Sequence, residues 1–277
     1  MPRMNRAEIL ATPAGLVPLA RPLMTGEVLD AAFRLFRAGL LRTLPYSGLA
    51  VLVLELPTLY GTFFGTGGER FVGERAAILA LALLLGVALL GVITLRLQAI
   101  SRGLRPRFRS EIVTVLRRWP AAVLATSAAF GFPLLLAAVA SFINPMLGTL
   151  VLLVLLVPIL WPSALFVVTL PAFWCDGLGP IAAIAQGVRV SRWRTWRMVG
   201  ALLATACMVA VFYVLAAILV AMLAPMLGRA DLFLISAVSS MLWLVVGALG
   251  VPFVLTVLIV AYEDLKLRER ERRGARP

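Results

Sequence analysis

The stretch AAILALALLLGVALLGVITL, residues Ala76 to Leu95, decides the fold. It is twenty residues long, carries no charge and contains eight Leu. About 20 apolar residues in a helix cross the roughly 30 Å of bilayer hydrocarbon. Each Leu, Ile or Val near the helix centre favours insertion by about 0.3 to 0.6 kcal/mol, so its twelve such residues together contribute roughly 5 kcal/mol. This segment spans a membrane without help from its neighbours.

The rest of the chain has the same character. Of 277 residues, 62% are apolar and 14% charged, and mean hydropathy is +1.00. A soluble domain has about 45 to 50% apolar and about 25% charged residues, so a water-soluble globule is excluded. Twenty-six basic residues against thirteen acidic ones give a net charge of +13, and they fall between the apolar stretches. There is no His and there are two Cys, Cys175 and Cys207. That removes His-based catalysis, zinc sites of the usual ligand number and a disulfide framework. Both cysteines read as reduced, buried, small apolar residues. No catalytic, cofactor-binding or metal-binding residues are expected.

Four further stretches read as spans: Pro120 to Ala140, Leu147 to Phe173, Met198 to Ala224, and a segment within Asp231 to Tyr262 that exceeds one straight crossing. The extra length calls for tilt or a kink, and Pro158, Pro162 and Pro252 are the candidate kink points. A sixth, Leu44 to Phe64, holds Glu55 near its middle. A charge at that depth costs about 2.5 to 3.5 kcal/mol against roughly 4 kcal/mol from its apolar residues. The fold class that follows is an all-α polytopic bundle of six transmembrane helices.

Six spans place both termini on one side, and basic residues identify it. The segment through Arg42 holds six, Arg96 to Arg118 seven, Arg189 to Arg197 four, and the tail from Lys266 six; the opposite loops hold Arg70, Arg75 and Arg229. Both ends are therefore expected in the cytoplasm of a bacterial cell, with the chain in the inner membrane. Residues 1–24 read as a flexible cytoplasmic lead, because Pro13 and Pro18 interrupt the apolar run that could serve as a signal peptide. Residues 25–263 form the membrane domain, and 264–277 a charged tail.

Periodicity adds three amphipathic segments on the cytoplasmic side. Between Thr25 and Leu40, Val28, Leu29, Ala32, Phe33, Leu35, Phe36 and Leu40 share one face, opposite Asp30, Arg34 and Arg37. Ser110 to Trp119 is a shorter version, and Pro180 to Trp196 a third, with Ile181, Ile184, Val188 and Trp193 on its apolar side. Each precedes two spans. The expected plan is three hairpins, each introduced by an interfacial helix.

Three stretches resemble a family of uncharacterised prokaryotic membrane proteins, typified by the membrane domain fused to some glycerophosphodiester phosphodiesterases. TGEVLDAAFRLFR, Thr25 to Arg37, is similar to the family's opening helix. DGLGPIAAIAQGVRVSR, Asp176 to Arg192, is similar to its middle segment. AYEDLKLR, Ala261 to Arg268, resembles its closing run, with Lys266 where an Arg is usual. The resemblance implies a six-helix fold. It does not imply phosphodiesterase activity, which belongs to a separate soluble domain.

Among candidate sites, Glu55 stands out as an ionisable residue at bilayer depth. Its available partners are hydroxyls, among them Thr126, Ser127, Thr169, Tyr213, Ser239 and Ser240. A hydrogen-bonded carboxyl there is either structural glue or part of a proton- or substrate-linked path. Arg34, Arg37, Arg105, Arg107, Arg109, Arg117, Arg118 and Arg192 are candidate contacts to anionic lipid headgroups, each worth up to about 1 kcal/mol; the plainer reading makes them topogenic charge. Trp119, Trp174, Trp193 and Trp196 fit cytoplasmic boundaries, and Gly86, Gly91, Gly200, Ala204, Ser236 and Ser240 suit close helix contacts. In the tail, Asp264 with Arg268 and Glu269 with Arg273 are spaced i,i+4, as in a solvated helix.

The favoured function is non-enzymatic: organisation of the membrane through contacts with lipids or partner membrane proteins. The alternative is a transporter or lipid translocator that uses the bundle interior around Glu55. An intramembrane enzyme would need a nucleophile with a base or a carboxylate pair, and no span supplies one. No nucleic-acid partner is expected, since no folded basic surface or base-stacking platform is present. Nothing in the sequence sets an oligomeric state.

Overall fold

The computed structural model of the chain describes residues 21–64, 70–124, 169–191, 195–223 and 232–274. Every regular element among them is a helix. We number them α1 (Thr25–Phe64), α2 (Arg70–Ser101), α3 (108–124), α4 (169–175), α5 (Pro180–Ser191), α6 (Thr195–Leu223) and α7 (Leu232–Gly274). Four are long and apolar enough to cross a membrane: α1, α2, α6 and α7. They contain four of the expected spans. The other two, Pro120 to Ala140 and Leu147 to Phe173, fall largely outside the described residues, as do Pro158, Pro162 and residues 1–20.

At 1.5 Å per residue, the 40 residues of α1 and the 43 of α7 reach about 60 Å and 64 Å. That is twice the hydrocarbon thickness. Each is therefore longer than one straight crossing needs, and the fold is packed most densely where α1 begins and α7 ends its apolar run. The segment of α7 from Pro252 to Leu265 is buried almost all round, with Tyr262 and Thr256 fully enclosed. A helix apolar on every side is a core helix; here α1, α2, α5 and α6 surround it. Pro252 lies within α7, which continues past it.

The first amphipathic segment is the outer half of α1 and not a separate surface helix. Val28, Ala32, Leu35, Gly39, Thr43, Ser47, Ala50 and Val53 form one buried stripe at three- and four-residue spacing, which crosses the expected boundary near Leu40 without a break. Leu23 reaches Asp264, and Phe36 meets Phe253 edge-on with ring centroids 5.5 Å apart. These contacts lie about 20 Å apart along α1 and about 16 Å apart along α7. The two helices run antiparallel over that distance, whereas a helix lying in the membrane plane would cross α7 once.

The second segment behaves likewise. Glu111 of α3 pairs with Arg96 of α2, and the Trp119 indole donates to the Leu84 carbonyl at 2.8 Å. α3 thus runs antiparallel along α2, and Trp119 sits about 18 Å from Arg96 along that helix, away from the boundary expected for it. α5 differs. It is a separate twelve-residue helix, Ala183, Gly187 and Val190 face the protein, and Ile181, Ile184 and Val188 are exposed. Its larger apolar side chains lie on the exposed side.

Turns and caps explain where helices stop. α2 ends in a Schellman motif: Leu104 N–H donates to the Ala99 carbonyl and Gly103 N–H to that of Ile100, with Gly103 at φ 70°. Pro180 occupies the first position of α5, where its missing N–H costs nothing. At the start of α1, Glu27 reaches back to accept from the Met24 N–H at 2.7 Å, one half of a capping box. Within the helices the hydroxyls of Thr43, Ser47, Thr94, Thr205 and Thr256 each donate to a carbonyl one turn back, which satisfies them inside the core. Two glycines permit close approach: a Cβ on Gly91 would meet the Trp174 ring at 2.7 Å, and one on Gly39 would meet Leu97 at the same distance.

Candidate functional site

Many charged side chains of the described residues gather toward the end of the bundle where α1 begins and α7 leaves the core. Asp264 is the hub. It is 2% exposed, yet it accepts from the Leu23 N–H at 2.7 Å and from Arg268 Nε at 3.0 and 2.9 Å, while Arg197 Nε of α6 stands 3.7 Å away. Arg197 and Arg268 also donate to the Leu23 carbonyl. One carboxylate therefore joins the chain entering α1, the start of α6 and the body of α7. The i,i+4 pair Asp264–Arg268 is part of the core, contrary to the solvated tail expected from its spacing. Glu269–Arg273, one turn further, does lie at the surface.

A second carboxylate, Asp176, closes the turn between α4 and α5. Tyr262 donates to it at 2.6 Å, and Lys266 Nζ bonds both oxygens at 2.7 and 2.8 Å. Gly177 in this turn has φ +69°, and the Arg118 guanidinium occupies the space where its Cβ would be. Arg118 also donates to the Phe173 carbonyl at 3.1 Å, and Gln98 of α2 donates to that of Cys175 at 2.7 Å. These bonds hold a short helical segment whose carbonyls would otherwise be exposed to a poor solvent. Burial, reinforced by the carboxylates of Glu263 and Asp176, pushes the Cys175 thiol above the ordinary thiol range.

The third cluster surrounds Arg96. Its Nε donates to Glu111 at 3.1 Å, a second nitrogen reaches the Arg42 carbonyl at 3.0 Å, and the guanidinium lies 4.5 Å from the centroid of the Tyr46 ring. Such a cation over an aromatic face is attracted to the ring. The second carboxylate oxygen of Glu111 is buried without a hydrogen-bond partner among the described residues.

The sequence candidates are distributed otherwise. Glu55 is exposed, and no hydrogen bond or ion pair links it to a described residue. Of its suggested partners, Thr169 is buried, Tyr213 stacks on Trp243 at 4.8 Å, and Ser239 accepts from the Trp243 indole. Thr126 and Ser127 lie outside the described residues. Arg34, Arg37, Arg105, Arg107, Arg109 and Arg117 are all exposed, and none of their side chains is bonded to a described residue; Arg118 is turned inward as above, and Arg192 lies outside the described residues. Comparison with family models, with curated proteins and with solved structures finds no match.

Leu23, Arg96, Glu111, Asp176, Arg197, Tyr262 and Lys266 escaped the sequence reading as a site. One signal was present. The three stretches chosen for their family resemblance supply Glu27, Asp176, Tyr262, Asp264, Lys266 and Arg268, and these meet at one end of the bundle. Chemically the assembly fastens helices together. Asp176 and Asp264 each accept three hydrogen bonds from donors of the chain itself.

Proposed function

We propose that the chain is a non-enzymatic organiser of the bacterial inner membrane, a six-span relative of the membrane-domain family it resembles. In this reading it crosses the bilayer as three hairpins, holds both termini in the cytoplasm, and acts by binding anionic lipids at its basic end. The observation that carries it is a division of labour among charges. The carboxylates of Glu111, Asp176 and Asp264 are taken up by fold-internal bonds, while the side chains of Arg34, Arg37, Arg105, Arg107, Arg109 and Arg117 are exposed without a protein partner among the described residues. Juxtamembrane arginines attract anionic headgroups at about 1 kcal/mol each. The exposed Ile181, Ile184 and Val188 of α5 give that end an apolar foothold at the interface.

Affinity capture from native membranes, with identification of the lipids that accompany the protein, tests this. Anionic phospholipid should be enriched over the bulk membrane, and replacing Arg105, Arg107 and Arg109 by Gln should lower that enrichment. Co-purified lipid of bulk composition refutes the reading. Reporter tags on the two ends should both face the cytoplasm; opposite faces overturn the six-span topology.

A further inference from the structure

Asp264 keeps one hydrogen-bonding position that no described residue fills. An ionised carboxylate offers about four acceptor positions. Its Oδ1 takes the Leu23 N–H at 2.7 Å and Arg268 Nε at 3.0 Å, and its Oδ2 takes Arg268 Nε at 2.9 Å. Arg197 Nε stands 3.7 Å from Oδ2, close enough for an ion pair and too far for a hydrogen bond. One acceptor position on Oδ2 is thus open, on a side chain that is itself almost wholly buried. A polar contact of that length is where a bridging water belongs.

The fold leaves room at that point. A crevice where α1, α6 and α7 meet has about 10 Å³ open to a water molecule, close to the least that a single water needs. Three of its lining residues are polar, one from each helix: Thr25, Arg197 and Asp264. A buried water takes about two to four polar partners. The apolar part of the lining includes Met198, Ala201 and Leu265, all buried. Local charge selects the occupant. Arg197 and Arg268 outnumber Asp264, while the nearby Arg21 and Glu27 pair with each other, so a cation is repelled. The open position on Oδ2 requires a donor, which excludes a simple anion such as chloride. Water donates to the carboxylate and accepts from the guanidinium at once.

We propose that this crevice is a binding site for one ordered water, which donates to Asp264 Oδ2 and accepts from Arg197. The water is then a working part of the clasp: α6 is tied to α7 through it, and to the chain entering α1 through the direct bond from Arg197 to the Leu23 carbonyl. The site stands whether or not the exposed arginines bind lipid.

X-ray radiolytic footprinting of the full-length protein in detergent tests this, because hydroxyl radicals formed from a bound water oxidise the side chains that touch it. Leu265 lines the crevice and should be oxidised severalfold faster than Leu255 and Leu258, which are equally buried on the same helix and do not line it. Ala201→Val, which adds two methyl groups from the α6 side, should bring Leu265 down to their rate. A structure determined at a resolution that shows waters should place a density peak within hydrogen-bond distance of both Asp264 Oδ2 and Arg197, and it decides the matter if Ala201→Val fails to fold. Oxidation of Leu265 no faster than that of Leu255 and Leu258, an excess that Ala201→Val leaves unchanged, or a direct hydrogen bond from Arg197 to Oδ2 with the crevice closed overturns the proposal.

Discussion

Replacing Asp264 by Ala should release the chain end from the bundle while leaving the spans in place. In the native fold the carboxylate accepts from the Leu23 N–H and from Arg268, with Arg197 at 3.7 Å, and it is 2% exposed. Removing one member of a buried charged cluster costs about 3 to 5 kcal/mol, because the remaining charges lose their partner without regaining water. Arg197 and Arg268 are 28% and 16% exposed, so both recover part of their hydration and the lower figure, about 3 kcal/mol, applies. If the entry segment and first turns of α1 open as a unit, that energy raises their opening equilibrium on the order of 100-fold. Hydrogen exchange in nanodiscs, followed on peptides covering residues 21–35, should show amides exchanging faster by up to that factor, while peptides from the middle of α2 are unchanged. Asp264→Asn retains one acceptor oxygen for Leu23 and should lose about half as much. Identical exchange in wild type and Asp264→Ala, or a larger effect from Asn than from Ala, refutes the assignment of Asp264 as the hub.

Gly91→Ala should destabilise the protein by about 1 to 3 kcal/mol, since its Cβ would meet the Trp174 ring at 2.7 Å, whereas Gly200→Ala, with nothing within 4 Å, should leave melting in detergent unchanged. Equal melting shifts for the two would contradict the close packing of α2 on Trp174. In intact membranes a water-soluble maleimide should label neither cysteine between pH 7 and 9. The Cys175 thiol stays protonated through that range because burial has pushed it up, and Cys207, exposed where the sequence reading has it buried, lies on an apolar stretch of α6 that a water-soluble reagent does not reach in a bilayer. Rapid labelling of Cys175 at pH 8.5 would show that it is solvated. Glu55→Gln should fold and melt no lower than the wild type, since it puts a neutral amide in place of an exposed carboxyl at bilayer depth that has no partner among the described residues. In proteoliposomes neither form should carry proton-coupled flux, and a flux lost in Glu55→Gln would favour the transporter reading.

What was legible in the sequence were properties that depend on neighbours along the chain. Ala76 to Leu95 announces a span because twenty consecutive side chains decide its transfer free energy, and the four apolar helices that hold expected spans are found where hydropathy put them. The orientation of the early amphipathic stretches was not legible in the same way. Val28, Ala32 and Leu35 satisfy a helical stripe whether the facing surface is a lipid interface or another helix. Only the contact of Phe36 with Phe253, more than two hundred residues away, decides for the latter. In α5, by contrast, Ile181, Ile184 and Val188 are exposed.

The clasp was missed for a related reason. Charges beside a span are sorted by a rule that asks which side of the membrane they stay on, and that rule is indifferent to whether an arginine ends in water or against a carboxylate. Arg96, Arg197, Lys266 and Arg268 are counted by that rule and also build the core, through partners between four and 245 residues distant. Asp264 shows how the ambiguity arises. Its i,i+4 spacing to Arg268 is equally compatible with a solvated helix, worth a few tenths of a kcal/mol, and with a buried hub worth about ten times that. The difference lies in the third partner, the Leu23 backbone N–H, which has no side-chain signature at all. Neutralising such a residue should therefore do what neutralising a purely topogenic arginine does not. It should loosen the fold without inverting the chain, so an exposed Arg109→Gln and a clasped Arg268→Gln, alike in the charge each removes, should part company in melting temperature while sharing one topology.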